Sequence, residues 1–316
     1  MKISYSAPAK IIISGEHSAV YYKPALISAV GFRLTFTVKD GTNKSNDNRV
    51  LEVSKKVKIW LKRKNIPYHD KTFDFKVSSQ IPRSGGFGSS SALSVAAAAT
   101  FLEFFTDGKE NFRKEEINEV AYECEKIFHG NPSGMDNATS CFGGLIFYRK
   151  EFEFLKTASS LPFLIPKKFQ NNLFILSTGN RSETTLDLVS NLAERTKQNP
   201  AKYKKIYNDI EKTTKKITES IERAELNQFL KLLAKNQSFL TKLGVVSYKT
   251  SSFLKDLQSF GFGKISGAGG VKNGSGYALF CTYPDKQKAF EDHLKKEKIE
   301  FYRFIQDGEG VRREEN

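Results

Sequence analysis

Apolar and polar positions along the chain fall into two periods. Phe73, Phe75 and Val77 alternate with polar neighbours over Phe73–Ser78, which predicts a half-buried strand. Residues 2–39 also read as strands, with a turn near Tyr22-Lys23-Pro24, and Gly41–Asn48 as a polar hairpin tip. Val53, Val57, Trp60 and Leu61 share one side of a helix. Ile117, Val120, Ala121, Cys124, Ile127 and Phe128 form another helical stripe. Leu93–Phe105 is apolar almost all round, which predicts a helix buried on every side. A strand follows at Gly143–Tyr148. The pattern then weakens between about 156 and 170, around Pro162 and Pro166, and divides the chain into domains 1–165 and 166–316. Beyond it, Asn172–Ser177 reads as a strand. Ser182–Phe260 is helical, broken by Pro200 and Gly244. Phe262–Ser266 and Gly276–Thr282 read as paired strands, followed by a helix from Pro284 and a short strand near Phe301. Gly308–Asn316 reads as a frayed, charged tail. Strands and helices mix without regular βαβ alternation, so the expected class is α+β.

Charge adds one competing reading. The 316 residues carry a formal net charge of +15, and the basic segment Ser54–Lys64 invites nucleic acid as a partner. Its lysines, however, point away from the apolar stripe, as on a solvated helix face, and no nucleic-acid-binding motif accompanies them. A positive surface equally suits a polyphosphate ligand. No window is apolar enough for a membrane span, and the N-terminus lacks the apolar region of a signal peptide. Cys124, Cys141 and Cys281 lie far apart, neither a disulfide framework nor a zinc site, which suits a reducing cytoplasm.

The segment Gly85-Gly86-Phe87-Gly88-Ser89-Ser90-Ser91, at the mouth of the buried helix, is the strongest chemical signal. The first turn of a helix leaves N–H groups unpaired and carries partial positive charge. Glycines let a ligand approach the backbone, and hydroxyls add donors and ligands for a hard cation. Together they suggest a phosphate cradle. A single capping serine would need none of this. Neither a P-loop nor a dinucleotide fingerprint fits, because Gly-Lys-Ser/Thr and GxGxxG are both missing. The four histidines have no metal-ligand spacing, and no GxSxG elbow appears. A second glycine cluster, Lys264-Ile265-Ser266-Gly267-Ala268-Gly269-Gly270, lies between two expected strands and suggests a cleft between the domains.

Ser6–His17, Pro82–Ala92 and Ser266–Gly270 resemble, in order and spacing, the three motifs of the GHMP kinases. Gly15–Ala25 and His129-Gly130-Asn131-Pro132-Ser133-Gly134-Met135-Asp136-Asn137 resemble most closely the mevalonate kinases of that superfamily, and Thr184–Val189 resembles their substrate-side helix start. The resemblance implies a two-domain fold, with an N-terminal domain like domain 2 of ribosomal protein S5 and a ferredoxin-like C-terminal domain. It implies an enzyme that phosphorylates the 5-hydroxyl of mevalonate in isoprenoid precursor synthesis, with ATP and Mg²⁺ as cofactors. Pro82, Gly85, Gly86, Gly88, Ser89, Ser90 and Ser91 would bind ATP, and Ser90 and Glu125 the metal. Asp136 would take the hydroxyl proton beside Lys10. Glu16, His17, Thr185, Gly267 and Ala268 would face mevalonate. Helical geometry does not choose between Glu123 and Glu125, which flank the stripe on opposite edges; the resemblance selects Glu125. Taken alone, Asp136 could equally cap the next helix, and Lys10 could be an ordinary strand-edge lysine. The same resemblance admits phosphomevalonate kinase or a mevalonate 3-kinase, and it is compatible with a homodimer.

The chain departs from the motifs in places. Ser84 replaces a glycine, Phe87 a leucine and Ser91 an alanine. Val271–Gly276 lengthens the third motif, and Lys272 there either adds charge near the phosphates or sits on a solvent-facing turn.

Overall fold

The computed structural model describes residues 1–41, 47–82, 86–129 and 132–315, apart from the side chain of His129. Its strands are β1 (Lys2–Ser14), β2 (Ala25–Asp40), β3 (Phe73–Ser79), β4 (Leu145–Lys150), β5 (Lys156–Ser160), β6 (Leu173–Ser177), β7 (Gly261–Ser266), β8 (Tyr277–Thr282), β9 (Phe301–Arg303) and β10 (Arg312–Arg313). Its helices are α1 (Asn48–Arg63), α2 (Ser89–Phe105), α3 (Lys114–His129), α4 (Met135–Phe142), α5 (Lys167–Gln170), α6 (Thr185–Gln198), α7 (Pro200–Glu222), α8 (Leu226–Leu243), α9 (Tyr248–Asp256) and α10 (Gln287–Lys296).

Two antiparallel sheets organise these elements, as the α+β reading expects. The first runs β10-β1-β2-β4-β5, with β3 also pairing β2. The long strand β2 serves two partners: Leu34–Asp40 faces β3, and Ala25–Ser28 faces β4. Its ladder with β1 shifts register between Pro8 and Ala9. Proline has no N–H to give a ladder, and an irregularity beside it re-aims the strand that follows. Helix α2 packs on β1 and β2 and is flanked by α1, α3 and α4. Enclosure on all sides explains its uniformly apolar sequence. The second sheet runs β7-β8-β6-β9. Phe174, Phe280, Leu254, Phe290 and Leu294 form a core between this sheet and helices α9 and α10. A larger core runs without interruption from Val95 and Phe101 on α2 to Leu173, Leu279 and Phe229, so the two sheets share buried apolar surface.

Three local readings need correction. The expected hairpin tip at Gly41–Asn48 falls between a strand and a helix, not between two strands. Residues 42–46 lie outside the described residues, but β2 leads into α1, which Asp47 caps by accepting from the Arg49 N–H at 2.9 Å. The weak pattern after 156 contains strand β5, whose residues are mostly exposed because it forms the sheet edge; one face only of an edge strand need be apolar, and here neither is. The C-terminal tail is not frayed. Arg312 and Arg313 pair with Ser6 and Tyr5 of β1, Val311 is buried, and Arg313 pairs with Glu103 at 2.9 Å. A charged segment stays ordered when its backbone completes a sheet edge and its charges find partners.

The basic helix α1 behaves in the same way. Lys55 pairs with Glu52 at 2.7 Å, Lys58 with Asp70 at 2.9 Å, and Arg63 and Lys64 with Glu119 at 2.6 and 3.2 Å. Among the described residues, no helix is long and apolar enough to cross a membrane.

Candidate active site

Strand β1 carries Lys10 beneath the mouth of α2. The Lys10 N–H donates to the Phe87 carbonyl at 2.9 Å, which ties the glycine-serine loop to the strand. Gly88 caps α2 at φ 72°, and a Cβ there would sit 3.0 Å from Lys10 Cγ. Glycine is required both by the left-handed angle and by the lysine stem. Gly88, at the N-cap position, has no side chain with which to cap α2, whose first intrahelical bond runs from the Ala92 N–H to the Gly88 carbonyl at 3.0 Å. A Cβ on Gly86 would meet nothing within 4 Å, so the backbone there faces open space that a ligand can enter. The side chain that replaces leucine anchors this loop: buried Phe87 packs on Phe32 and on Tyr277 of β8, with ring centroids 5.7 and 4.7 Å away. Ser89 is exposed at the helix mouth. Pro82 is half-buried at the other end of the loop, and Gly85 lies outside the described residues.

Lys10 Nζ stands 3.1 Å from Asp136 Oδ1. The lysine is buried, while the aspartate side chain keeps 34% of its exposure. Asp136 does not cap α4. Gly134 holds that position, and Asp136 lies in the first helical turn, where the helix dipole favours a carboxylate. Three side chains hold the approach to it. Tyr148 donates to the Ser133 carbonyl at 2.9 Å, and Lys156 and Tyr122 donate to the Pro132 carbonyl at 3.0 and 3.3 Å.

Glu125 lies beside this pair, buried on α3 and turned toward α2. It accepts from Ser90 at 2.9 Å, Ser91 at 3.0 Å and Ser94 at 3.0 Å. Ser91, expected only as a phosphate donor, thus directs its hydroxyl to this carboxylate. A carboxylate and a hydroxyl at the mouth of a helix are hard oxygen donors, the set that magnesium accepts when phosphate and water complete its sphere. Among the described residues, no three acidic, histidine or cysteine side chains cluster as a self-sufficient metal site.

The end of β1 meets the second sheet. Glu16 is buried and bonds Lys264 of β7, whose Nζ also donates to the Ile12 carbonyl at 3.2 Å. Burial pushes the Glu16 carboxyl up, against the pull of the ammonium, and pushes Lys264 down. His17 is buried too, at a left-handed φ of 60°, and its Nε2 lies 3.0 Å from the Ala268 carbonyl. Burial pushes its pKa down to about 4, so the ring is neutral at pH 7; the carbonyl only accepts, so Nε2 carries the hydrogen. The Ile12 N–H donates to Ser266 Oγ at 2.9 Å. Gly267 has φ 93° and, like Gly86, faces open space.

The structure therefore gathers Lys10, Asp136 and the loop mouth around one point, Ser90 and Glu125 beside it, and Glu16, His17, Gly267 and Ala268 at the junction of the sheets. Thr185 stands apart, exposed in the first turn of α6 behind the reciprocal cap of Thr184 and Asp187. The lengthened third motif is bound to the chain just before that helix. Glu183 accepts from the Val271 and Lys272 N–H groups at 3.2 and 2.9 Å, and Lys272 is exposed with its charge reaching Asp187. Sequence reasoning gave no role to Ser94, to Lys264 at the start of the second glycine cluster, or to Arg195, whose charge reaches His17. Ser94 left a trace: Ser90, Ser91 and Ser94 share one face of an otherwise apolar helix, and buried hydroxyls there call for an acceptor.

Known proteins share these features. Residues 48–144 match the GHMP kinases N terminal domain. The mevalonate kinase of Archaeoglobus fulgidus is 31% identical over 280 residues, covering 84% of this chain and 88% of that protein. The crystal structure of Methanococcus jannaschii mevalonate kinase aligns at TM-score 0.75 and 23% identity, over 96% of this chain and 98% of that one. L. major mevalonate kinase in complex with R-mevalonate aligns at TM-score 0.75 and 20% identity, over 96% of both chains. Two antiparallel sheets, a glycine-serine helix mouth over a lysine–aspartate pair, and this extent of identity have one explanation: the chain belongs to the mevalonate kinases, within the GHMP kinase superfamily.

Proposed function

We propose that the protein phosphorylates the 5-hydroxyl of mevalonate by direct transfer from ATP, and that residues 1–165 and 166–316 are the two domains flanking the cleft. The observation that carries this reading is the Lys10–Asp136 pair, 3.1 Å apart under a helix mouth that starts at a left-handed glycine, Gly88. Phosphoryl transfer to an alcohol needs a held triphosphate, a positioned hydroxyl, a proton acceptor and positive charge. Bound ATP supplies the phosphoryl group, and magnesium supplies charge that offsets it. The N–H groups at the start of α2, which Gly88 turns the chain into, and the open backbone at Gly86 bind phosphate oxygens. Ser89 adds a hydroxyl to that cradle, and Ser90 and Glu125 would hold the cation.

Asp136 receives the hydroxyl proton on a carboxylate oxygen as the substrate oxygen bonds to phosphorus and the bond to ADP breaks. Lys10 pairs with Asp136 and offsets charge on the transferring group. No covalent enzyme intermediate is needed. On the other wall, His17, Gly267 and Ala268 face the substrate, and the positive charge of Arg195 suits its carboxylate; Glu16, expected there too, is sealed against Lys264 instead. Three buried free thiols accord with a cytoplasmic setting.

The test is product identification. Incubation with Mg-ATP and R-mevalonate, followed by ³¹P and ¹³C NMR, should give 5-phosphomevalonate. Phosphate on the 3-hydroxyl, or turnover of phosphomevalonate in preference to mevalonate, would contradict the reading.

A further inference from the structure

Lys264 is fully buried, and nothing in the reaction as described uses it. Taking an ammonium out of water costs several kcal/mol unless its partners are well placed, and an apolar side chain of similar length would pack at this position without that cost. The partners are specific. Lys264 reaches from β7 to two points on the first motif, the Ile12 carbonyl and the Glu16 carboxylate, which bracket the end of β1. Two further bonds run in parallel between the same segments, Ile12 N–H to Ser266 Oγ and His17 Nε2–H to the Ala268 carbonyl. Nothing else on β7 carries charge into this junction. Resting on the mevalonate kinase reading above, we propose that Lys264 is a positioning residue: by gripping residues 12 and 16 together it sets the first motif against the loop Ser266–Ala268 and so fixes the substrate wall of the cleft.

The nucleotide wall has separate supports. Its loop hangs on the Lys10 N–H and on the packing of Phe87 between Phe32 and Tyr277, and neither involves Lys264. Loss of Lys264 should therefore divide the two substrates. A lysine that only balances the charge of Glu16 would not do so once that charge is removed.

The experiment compares wild type, Glu16→Gln and the double variant Glu16→Gln/Lys264→Met. In the Glu16→Gln background Lys264 is a buried ammonium without its carboxylate, and Lys264→Met removes it without stranding a carboxylate, so thermal stability should not fall below that of Glu16→Gln alone. The mevalonate KM should rise a further tenfold or so, with the ATP KM within about twofold, because misplacing one wall weakens one substrate. Hydrogen exchange at the amides of residues 12–17 should accelerate in the double variant, whichever alcohol the enzyme accepts. An unchanged mevalonate KM with unchanged exchange, or equal rises in both KM values, would overturn the proposal. Should the double variant fail to fold, Glu16→Gln/Lys264→Gln keeps a donor for Ile12 and should restore folding with an intermediate KM; restoration to the full Glu16→Gln value would also count against a positioning role specific to lysine. Failure of wild type to turn over mevalonate would instead strike the functional reading, and the exchange measurement would still judge Lys264.

Discussion

Two lysine–carboxylate pairs anchor the first motif, and they differ in their access to water. Lys10 and Asp136 meet at the cleft, with the aspartate side chain 34% exposed; Lys264 and Glu16 are sealed, at 0% and 1%. The chemistry of the groups is the same, but the setting is opposite. An open carboxylate can exchange a proton with a substrate that enters and leaves. A sealed one cannot, and what it offers is fixed geometry between segments distant in sequence. Burial also decides how each pair should reveal itself. The open pair should speak through turnover. The sealed junction should speak through stability and the apparent affinity of one substrate.

The contrast is broken most directly at Asp136. Asp136→Ala should lower kcat by about 10³-fold or more, with the melting temperature and ATP affinity preserved. Steady-state kinetics and calorimetric ATP titration read both, and a near-normal rate would remove Asp136 as the proton acceptor. The sealed side is probed next, through His17. Its folded pKa of about 4 lies below the ordinary 6.5. Below pH 6.5 the unfolded chain takes up a proton that the folded one refuses. Stability from this group is therefore whole above 6.5 and drains away as pH falls toward 4. Urea unfolding should show about 2 kcal/mol lost between pH 7.5 and 5, and His17→Gln should lack that component. A smaller effect belongs to the metal side. Ser90→Ala should raise the magnesium concentration for half-maximal rate by about tenfold, since one hard donor is gone. Unchanged metal dependence would count against that ligand.

Much of this arrangement is legible in the chain, and the unread parts share a cause. Helix α2 shows itself because a helix enclosed on all faces must be apolar on all faces. The glycine-serine mouth shows itself because a ligand-binding backbone needs residues that a plain cap does not. Lys264 stays hidden because its partners lie 248 and 252 residues away, and nothing local marks a lysine that will be buried. The C-terminal segment misleads for the same reason: its charges imply solvent until β1, Arg33 and Glu103 are brought beside it. Strand β5 escapes notice because an exposed edge strand carries no apolar alternation. Thr185 is the reverse case, selected by resemblance and placed by the fold on an exposed helix start, with no hydrogen bond to the other site residues.

Whether the alcohol attacks phosphorus directly in this cleft is read from the stereochemistry of transfer. ATP made chiral at the γ-phosphorus with oxygen isotopes and sulfur should give phosphomevalonate of inverted configuration, as a single in-line displacement between Asp136 and the mouth of α2 requires. Retention would mean two displacements and a phosphorylated protein group, and would contradict direct transfer.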